Sequence, residues 1–351
     1  MRRTVLALLL SLLGIHPVLA AERLPALGAR LEETSVSGLS SGAFMAAQLE
    51  VAFSSIVVGA GIVAGGPYGC AETWWSRHGL PTFGGWANFA RATGTCMAAT
   101  RGVPDGAALA DRAAALAEEG RIDPLAGLAD DRVYLFHGEA DTTVVLPVVE
   151  AAAAFYRRAG VPAASLQPVH ALPGHAAGHA FIVTAGGNPC GPSGPPFIES
   201  CGYDQAGALL AWIYPDIDHG RGPQVPAGQR LVFDQTEFLP GGGRAGLAGE
   251  GVVYIPPGCR AGGCRVHIAL HGCRQSRTSD GIGDAFIERT GYLGWADANR
   301  LIVLFPQTDA ATAPNACWDW WGYTGPGFLG RQAPQLAALR AMVGRLAEPP
   351  T

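Results

Sequence analysis

An α/β fold, with a mostly parallel central sheet and helices on both faces, is what this 351-residue sequence predicts. Three observations carry that reading. Runs such as Ser55 to Ala64 and Leu301 to Phe305 are apolar on both faces and alternate with helical periodicity. Such runs fit strands covered by helices on either side. Gly38-Leu39-Ser40-Ser41-Gly42 follows a β-prone run and precedes a small-residue run, the strand–turn–helix setting of a nucleophile elbow. Finally, Val266 to Leu270 runs into His271-Gly272-Cys273. A His-Gly loop of that kind donates an oxyanion-hole amide in α/β-hydrolases.

Taken in order, residues 1–20 read as a signal peptide. Arg2-Arg3 give a positive start, Thr4 to Leu13 an apolar run, and Val18-Leu19-Ala20 a small-residue cleavage site. His16-Pro17 interrupt the run before the ~20 apolar residues that a membrane span needs. Cleavage would remove two arginines and no acid. The expectation is an exported protein, periplasmic or extracellular, without a stable membrane anchor.

The elbow follows. Glycines two positions either side of Ser40 free the turn of Cβ clashes, and a helix from Ser41 to about Phe53 points its positive end at the same tip. Ser55 to Ala64 is the next strand, ending in the loop Gly65 to Cys70. Residues 71–104 read as a lid or helical excursion, whose Trp74, Trp75, Trp86 and Phe89 are expected in the core rather than as a substrate platform.

A helix over 107–119 precedes the strand Arg132 to His137, and another helix runs from Val144 to Tyr156. Asp141 sits just past that strand's end, where a triad acid belongs; Glu139 is its rival, and a plain helix-capping role is the alternative. A strand near Leu166 to Val169 leads to His170, His175 and His179. No metal is expected there, because the loop lacks helical HExxH spacing and a neighbouring carboxylate. His179 is the candidate base and His170 the second choice. Residues 186–203 read as a Gly/Pro/Cys loop, 204–214 as a helix, and 215–250 as a junction with one strand at Arg230 to Phe233.

The last hundred residues hold strands Val252 to Ile255, Val266 to Leu270 and Leu301 to Phe305, closed by a helix from Gln332 to Leu346. The His-Gly loop normally precedes the nucleophile, yet here it follows Ser40 by more than two hundred residues. Too little chain precedes the elbow to supply the missing strands. A circularly permuted α/β-hydrolase in a single domain over 21–351 accounts for this, with its junction near 215–250 and adjacent mature termini.

Composition narrows the partners. The formal charge is −5 and every basic residue is arginine, so no basic field awaits a nucleic acid. Eight cysteines in an exported chain read as disulfides, and spacing suggests Cys70–Cys96, Cys190–Cys201, Cys259–Cys264 and Cys273–Cys317. No metal or organic cofactor is implied. The oligomeric state is not legible, and a monomer is the working expectation.

Several stretches together resemble one family. SVSGLSSGAFMAAQLEVAFS, AGGPYGCA, HGEADTTV, GHAF, the Cys190–Cys201 loop, ALHGCRQS and CWDW are similar, in order, to secreted poly(3-hydroxybutyrate) depolymerases with a permuted catalytic domain. The resemblance implies Ser40 as nucleophile, Asp141 as orienting acid and His179 as base. It implies an oxyanion hole from the amides of Ser41 and Cys273, and a polymer groove bordered by Trp318, Trp320 and Tyr68. Many extracellular members append a linker and a polymer-adsorbing module. None precedes Thr351 here, which implies amorphous polymer or a periplasmic setting. The competing expectations are a feruloyl or acetyl-xylan esterase and a catalytically dead granule-binding protein.

Overall fold

The structure, a computed structural model, describes residues 21–78, 81–167, 172, 176–218, 222, 225–239 and 245–350. The leader 1–20, His170 and His175 lie outside the described residues.

Strand β1 (Thr34–Leu39) runs into helix α1 (Ser41–Ala52), and β2 (Val57–Val63) follows. Two helices, α2 (Trp74–Arg77) and α3 (Pro81–Gly94), make the excursion, and α4 (Gly106–Glu118) leads to β3 (Arg132–Phe136). Helix α5 (Leu146–Ala159) has Pro147 in its first turn, where a missing N–H costs nothing. Strands β4 (Phe181–Val183), β5 (Asn188–Pro189) and β6 (Ile198–Ser200) precede α6 (Gln205–Ile213). The chain ends with β7 (Gln229–Asp234), β8 (Glu250–Ile255), β9 (Arg265–Leu270), α7 (Ala285–Arg289), α8 (Tyr292–Asn299), β10 (Leu301–Phe305) and α9 (Pro334–Ala347).

One sheet runs in the order β3-β2-β1-β9-β10-β8-β7. Its first five strands are parallel, and β8 is antiparallel to both β10 and β7. Strand β1 therefore lies between β2 and a strand encoded some 230 residues later, with Ser35 paired to His267. The segment entering β1 is stitched to the end of α9: Leu27 and Ala29 N–H groups donate to Leu346 O at 3.1 and 3.0 Å. That contact is what a permuted sheet requires of its outermost segments.

Both faces of the sheet are covered. Ile302 and Leu304 face a core with α1, α4, α5 and α9, while Leu301, Val303 and Phe305 face a second core with α6, α7 and α8. A strand buried on both sides must be apolar at every position, which is why LIVLF reads as a continuous run.

The structure departs from the sequence-based expectations in four places. Of the strand near 166–169, Leu166 makes only an isolated bridge to Val133, and positions 168–169 lie outside the described residues. The 186–203 stretch is more than loop: β4, β6 and β5 form a small parallel sheet. Helices α7 and α8 were not anticipated. Trp74, Trp75, Trp86 and Phe89 are not core either; Trp74 is 57 % and Trp86 66 % exposed, and Phe83 joins them at the surface. Among the described residues no further layer of chain covers that side of α2 and α3, so their apolar stripe faces solvent.

A buried acid pair sits behind α1. Tyr156 donates to Glu50 Oε2 at 2.5 Å, while Glu50 Oε1 and Asp131 Oδ2 are buried without a partner among the described residues. Burial pushes the Glu50 carboxyl up to about 8, and burial plus the Glu50 charge pushes Asp131 up to about 9. A carboxyl held neutral by the fold contributes stability below its unfolded value that is lost as pH rises through its folded one. Glu50→Gln should therefore melt close to wild type at pH 5 and a few degrees above it at pH 8.5. A pH-independent difference in Tm between the two proteins would count against this account.

Candidate active site

The elbow is built by steric necessity. Ser40 has φ 57° and ψ −118°, a left-handed conformation that non-glycine residues hold only under constraint. The constraint is visible: Ser40 N–H donates to Val63 O at 2.9 Å, and its carbonyl accepts from Phe44 N–H at 3.0 Å. A Cβ on Gly38 would lie 2.2 Å from Gly42 O, and one on Gly42 would lie 2.3 Å from Leu270 O. Strand and helix can cross this closely only where both residues are glycine.

Asp141 follows β3 at a tight turn. Its Oδ1 accepts from the N–H groups of Thr143 and Val144 at 2.8 and 3.0 Å, and its Oδ2 faces His179 Nδ1 at 2.8 Å. Asp141 thus pairs with His179 through one oxygen and braces its own turn through the other; it does not cap the helix, which begins at Leu146 after Val145. Glu139 is exposed and takes no part.

The His179 loop is anchored from beneath. Gly178 and Gly191 N–H groups both donate to Glu199 Oε2 at 2.9 Å, and His179 N–H donates to Ser193 Oγ at 2.5 Å. The Cys190–Cys201 disulfide closes the same loop.

On the other rim, β9 delivers His271-Gly272-Cys273. His271 is fully buried; its Nδ1 donates to Gly272 O at 2.8 Å and its Nε2 accepts from Thr308 N–H at 3.3 Å. Burial pulls its imidazole down to about 4, so it stays neutral and shapes the loop. Gly272 N–H is taken by Gln275 Oε1 at 2.7 Å, and Cys273 is bonded to Cys317. All four cysteine pairs match the expectation from spacing.

Cys317 begins the tryptophan loop, which turns on Asp319. This buried carboxylate accepts from the N–H groups of Gly322, Tyr323 and Thr324 at 2.7, 2.8 and 3.0 Å, and from the Thr324 hydroxyl. Burial raises its pKa while those four donors oppose the rise. The turn sets Trp320 against Phe44 with ring centroids 4.0 Å apart, and Trp321 6.0 Å from Phe89.

These elements enclose a cavity of about 460 Å³, lined by Ser40, His179, Cys273 and Trp320, with Phe89, Phe197, Arg274 and Trp321 among the other walls. Trp318 and Tyr68 are absent from that lining. Trp318 is fully buried and donates Nε1–H to His271 O at 3.0 Å; Tyr68 is buried and donates to Leu329 O at 2.8 Å. Both serve as framework. In an irregular loop no periodicity says which of two neighbouring tryptophans faces in.

Sequence reasoning missed Phe197 and Arg274, which left no local signature. Trp321, in contrast, was one position from a residue already under consideration. It also missed a buried network under the elbow: Ser35 and Ser37 Oγ lie 2.6 and 2.7 Å from the two ring nitrogens of His267. Burial pulls that imidazole down to about 3, so it is a neutral strand-to-strand tie.

No family profile matches the chain. It is 40 % identical over 344 residues to a poly(3-hydroxybutyrate) depolymerase of Delftia acidovorans, covering 96 % of this chain and 64 % of that protein's length. It is 34 % identical over 347 residues to a polyhydroxybutyrate depolymerase of Talaromyces funiculosus, covering 93 % of each. Among solved structures it is similar to a serine-to-alanine variant of a PHB depolymerase complexed with an R3HB trimer, at TM-score 0.79 and 33 % identity. That match covers 93 % of this chain and 98 % of the other. The crystal structure of PHB depolymerase from Penicillium funiculosum gives TM-score 0.77 and 32 % identity, with the same coverage. Likeness of this extent in sequence and in fold has one consequence: the chain belongs to the poly(3-hydroxybutyrate) depolymerase family.

Proposed function

We propose that this protein is a serine esterase that hydrolyses poly(3-hydroxybutyrate) and its oligomers. The observation that carries the reading is the Asp141–His179 pair, 2.8 Å apart, on the same cavity as a serine held in a left-handed elbow. Relatives named for this polymer, and a structural neighbour complexed with its trimer, support the substrate class.

Each residue then has a step. Neutral His179 accepts the Ser40 proton as Oγ attacks the ester carbonyl, and Asp141 holds the imidazole so that Nε2 is the free nitrogen. The tetrahedral oxyanion receives the amides of Ser41 and Cys273, each lowering the barrier by about 3–4 kcal/mol. Imidazolium returns the proton to the departing hydroxybutyrate oxygen, leaving an acyl-enzyme. Water, deprotonated by the same histidine, releases the acid and restores the serine.

The exposed aromatic stripe favours a polyester over a carbohydrate ester. Phe83, Trp86 and Phe89 share one side of α3, and Phe89 also walls the cavity, so an apolar surface continues outward from the site. Contiguous exposed apolar surface marks a contact site. Four disulfides suit an exported protein, and no described helix is long and apolar enough to cross a membrane.

The test is a substrate panel: amorphous poly(3-hydroxybutyrate) granules, crystalline film, a feruloyl ester and acetylated xylan. Turnover of granules with release of soluble hydroxybutyrate acids is expected. Turnover of the carbohydrate esters alone would replace the reading. No turnover, with no labelling of Ser40 by a phosphonate, would leave a non-catalytic granule binder.

A further inference from the structure

We infer that Arg274 sets substrate-end specificity, binding the free carboxylate of a short 3-hydroxybutyrate chain placed across Ser40. The inference rests on the proposed polyester reading and deepens it.

Arg274 is the permanently charged residue among the walls of the cavity that holds Ser40 and His179, and no carboxylate lines that cavity with it. None of the ion pairs among the described residues involves it. Asp280 lies on the next depression along, which Arg274 also lines, but is not within ion-pair distance of the guanidinium. Arg274 is exposed, but it is held in place. It follows Cys273, bonded to Cys317; its own N–H donates to Asn315 O at 2.7 Å, and its φ is 57°. The guanidinium carbon stands 5.1 Å from the centroid of Phe197, which walls the same cavity. Backbone and side chain are therefore both held, with the donor fork still unspent.

A polyester interior is uncharged, and esters alone give no reason to keep a bare cation beside the reacting carbon. The substrate has one place that does. A 3-hydroxybutyrate chain carries a single ionised group, the carboxylate at its acid end, and guanidinium matches carboxylate with paired N–H donors. Binding that end next to Cys273 would place an ester near the acid terminus over Ser40, so short chains would be cut as acids rather than as neutral segments.

The experiment compares the (R)-3-hydroxybutyrate trimer as free acid and as its methyl ester, by kcat/KM at low salt. Wild type is expected to prefer the acid by about three- to fivefold, the upper range for an ion pair at an exposed site. In Arg274→Gln that ratio should fall towards one, and Arg274→Lys should keep part of it. Added salt should lower the wild-type ratio and leave that of the glutamine variant flat. Arg274→Asn, whose side chain tolerates a positive φ, serves if the glutamine protein fails to fold. Equal preference in wild type, or an equal loss on both trimers in the variant, would overturn the assignment while leaving the esterase reading intact. Failure of wild type to cleave either trimer while still clearing granules would overturn this inference alone; failure on trimers and granules alike would remove the esterase reading as well.

Discussion

Replacing Ser40 with alanine is expected to abolish granule clearing, with kcat lowered by roughly a millionfold, the scale seen when a serine protease loses its nucleophile. The fold should survive, because alanine meets the same left-handed backbone at 40 and fills less of the cavity. The residual rate would come from the oxyanion amides and from binding, which the substitution leaves in place. Turnover on amorphous granules, read with the melting temperature of the same preparation, is the measurement. A variant that clears polymer like wild type would end the triad assignment, since the neighbouring Ser41 hydroxyl is buried and accepts from Trp318 N–H at 3.4 Å. His179→Ala should fall to a comparable level, because a serine without its base is no better nucleophile than water.

The second large effect is structural and acts at the same point. Gly42→Ala would put a methyl group 2.3 Å from Leu270 O and 2.5 Å from His271 O. Both atoms are backbone at the mouth of β9, so no side chain can swing away. Either α1 lifts off the sheet or the His271–Cys273 loop moves, and both carry an amide proposed for the oxyanion hole. We expect a loss of about 4 kcal/mol or more in chemical denaturation, or a folded enzyme with kcat down at least about a thousandfold. Gly85→Ala is the control. It lies on α3 with nothing within 4 Å of its Cβ position, and the change should be neutral or stabilising by up to about 1 kcal/mol. Equal stability and activity for the two variants would show that the crossing is looser than drawn.

How much could be read before the structure depended on the range of the interaction involved. The elbow is local: a strand, a reversal and a helix within about fifteen residues need glycines at fixed offsets, and those offsets stand in the sequence. Strands buried on both faces are local too, because each residue reports its own surroundings; β10 is read as Leu301–Phe305 in both descriptions. Asp141 was placed by its position after β3; the capping alternative fails, because the helix starts only at Leu146 and the second carboxylate oxygen braces the turn instead.

Side-chain direction in irregular chain was not legible. Trp318 and Trp320 are two residues apart, yet one ties down His271 and the other walls the cavity. The aromatic residues of α2 and α3 were placed in the core because large apolar side chains usually go there. Whether they do depends on a further layer of protein, and helical spacing carries no record of one.

The sequence by itself determined the layering of the fold and the elbow, since steric limits and burial act on each residue where it stands, and it only suggested the cysteine pairing. Tertiary structure alone decided that His267 and His271 are neutral ties, that Trp320 and not Trp318 meets the cavity, and that Arg274 faces it unpaired. Those outcomes depend on which distant atoms supply a partner or withhold water, and β1 meets β9 across more than two hundred intervening residues.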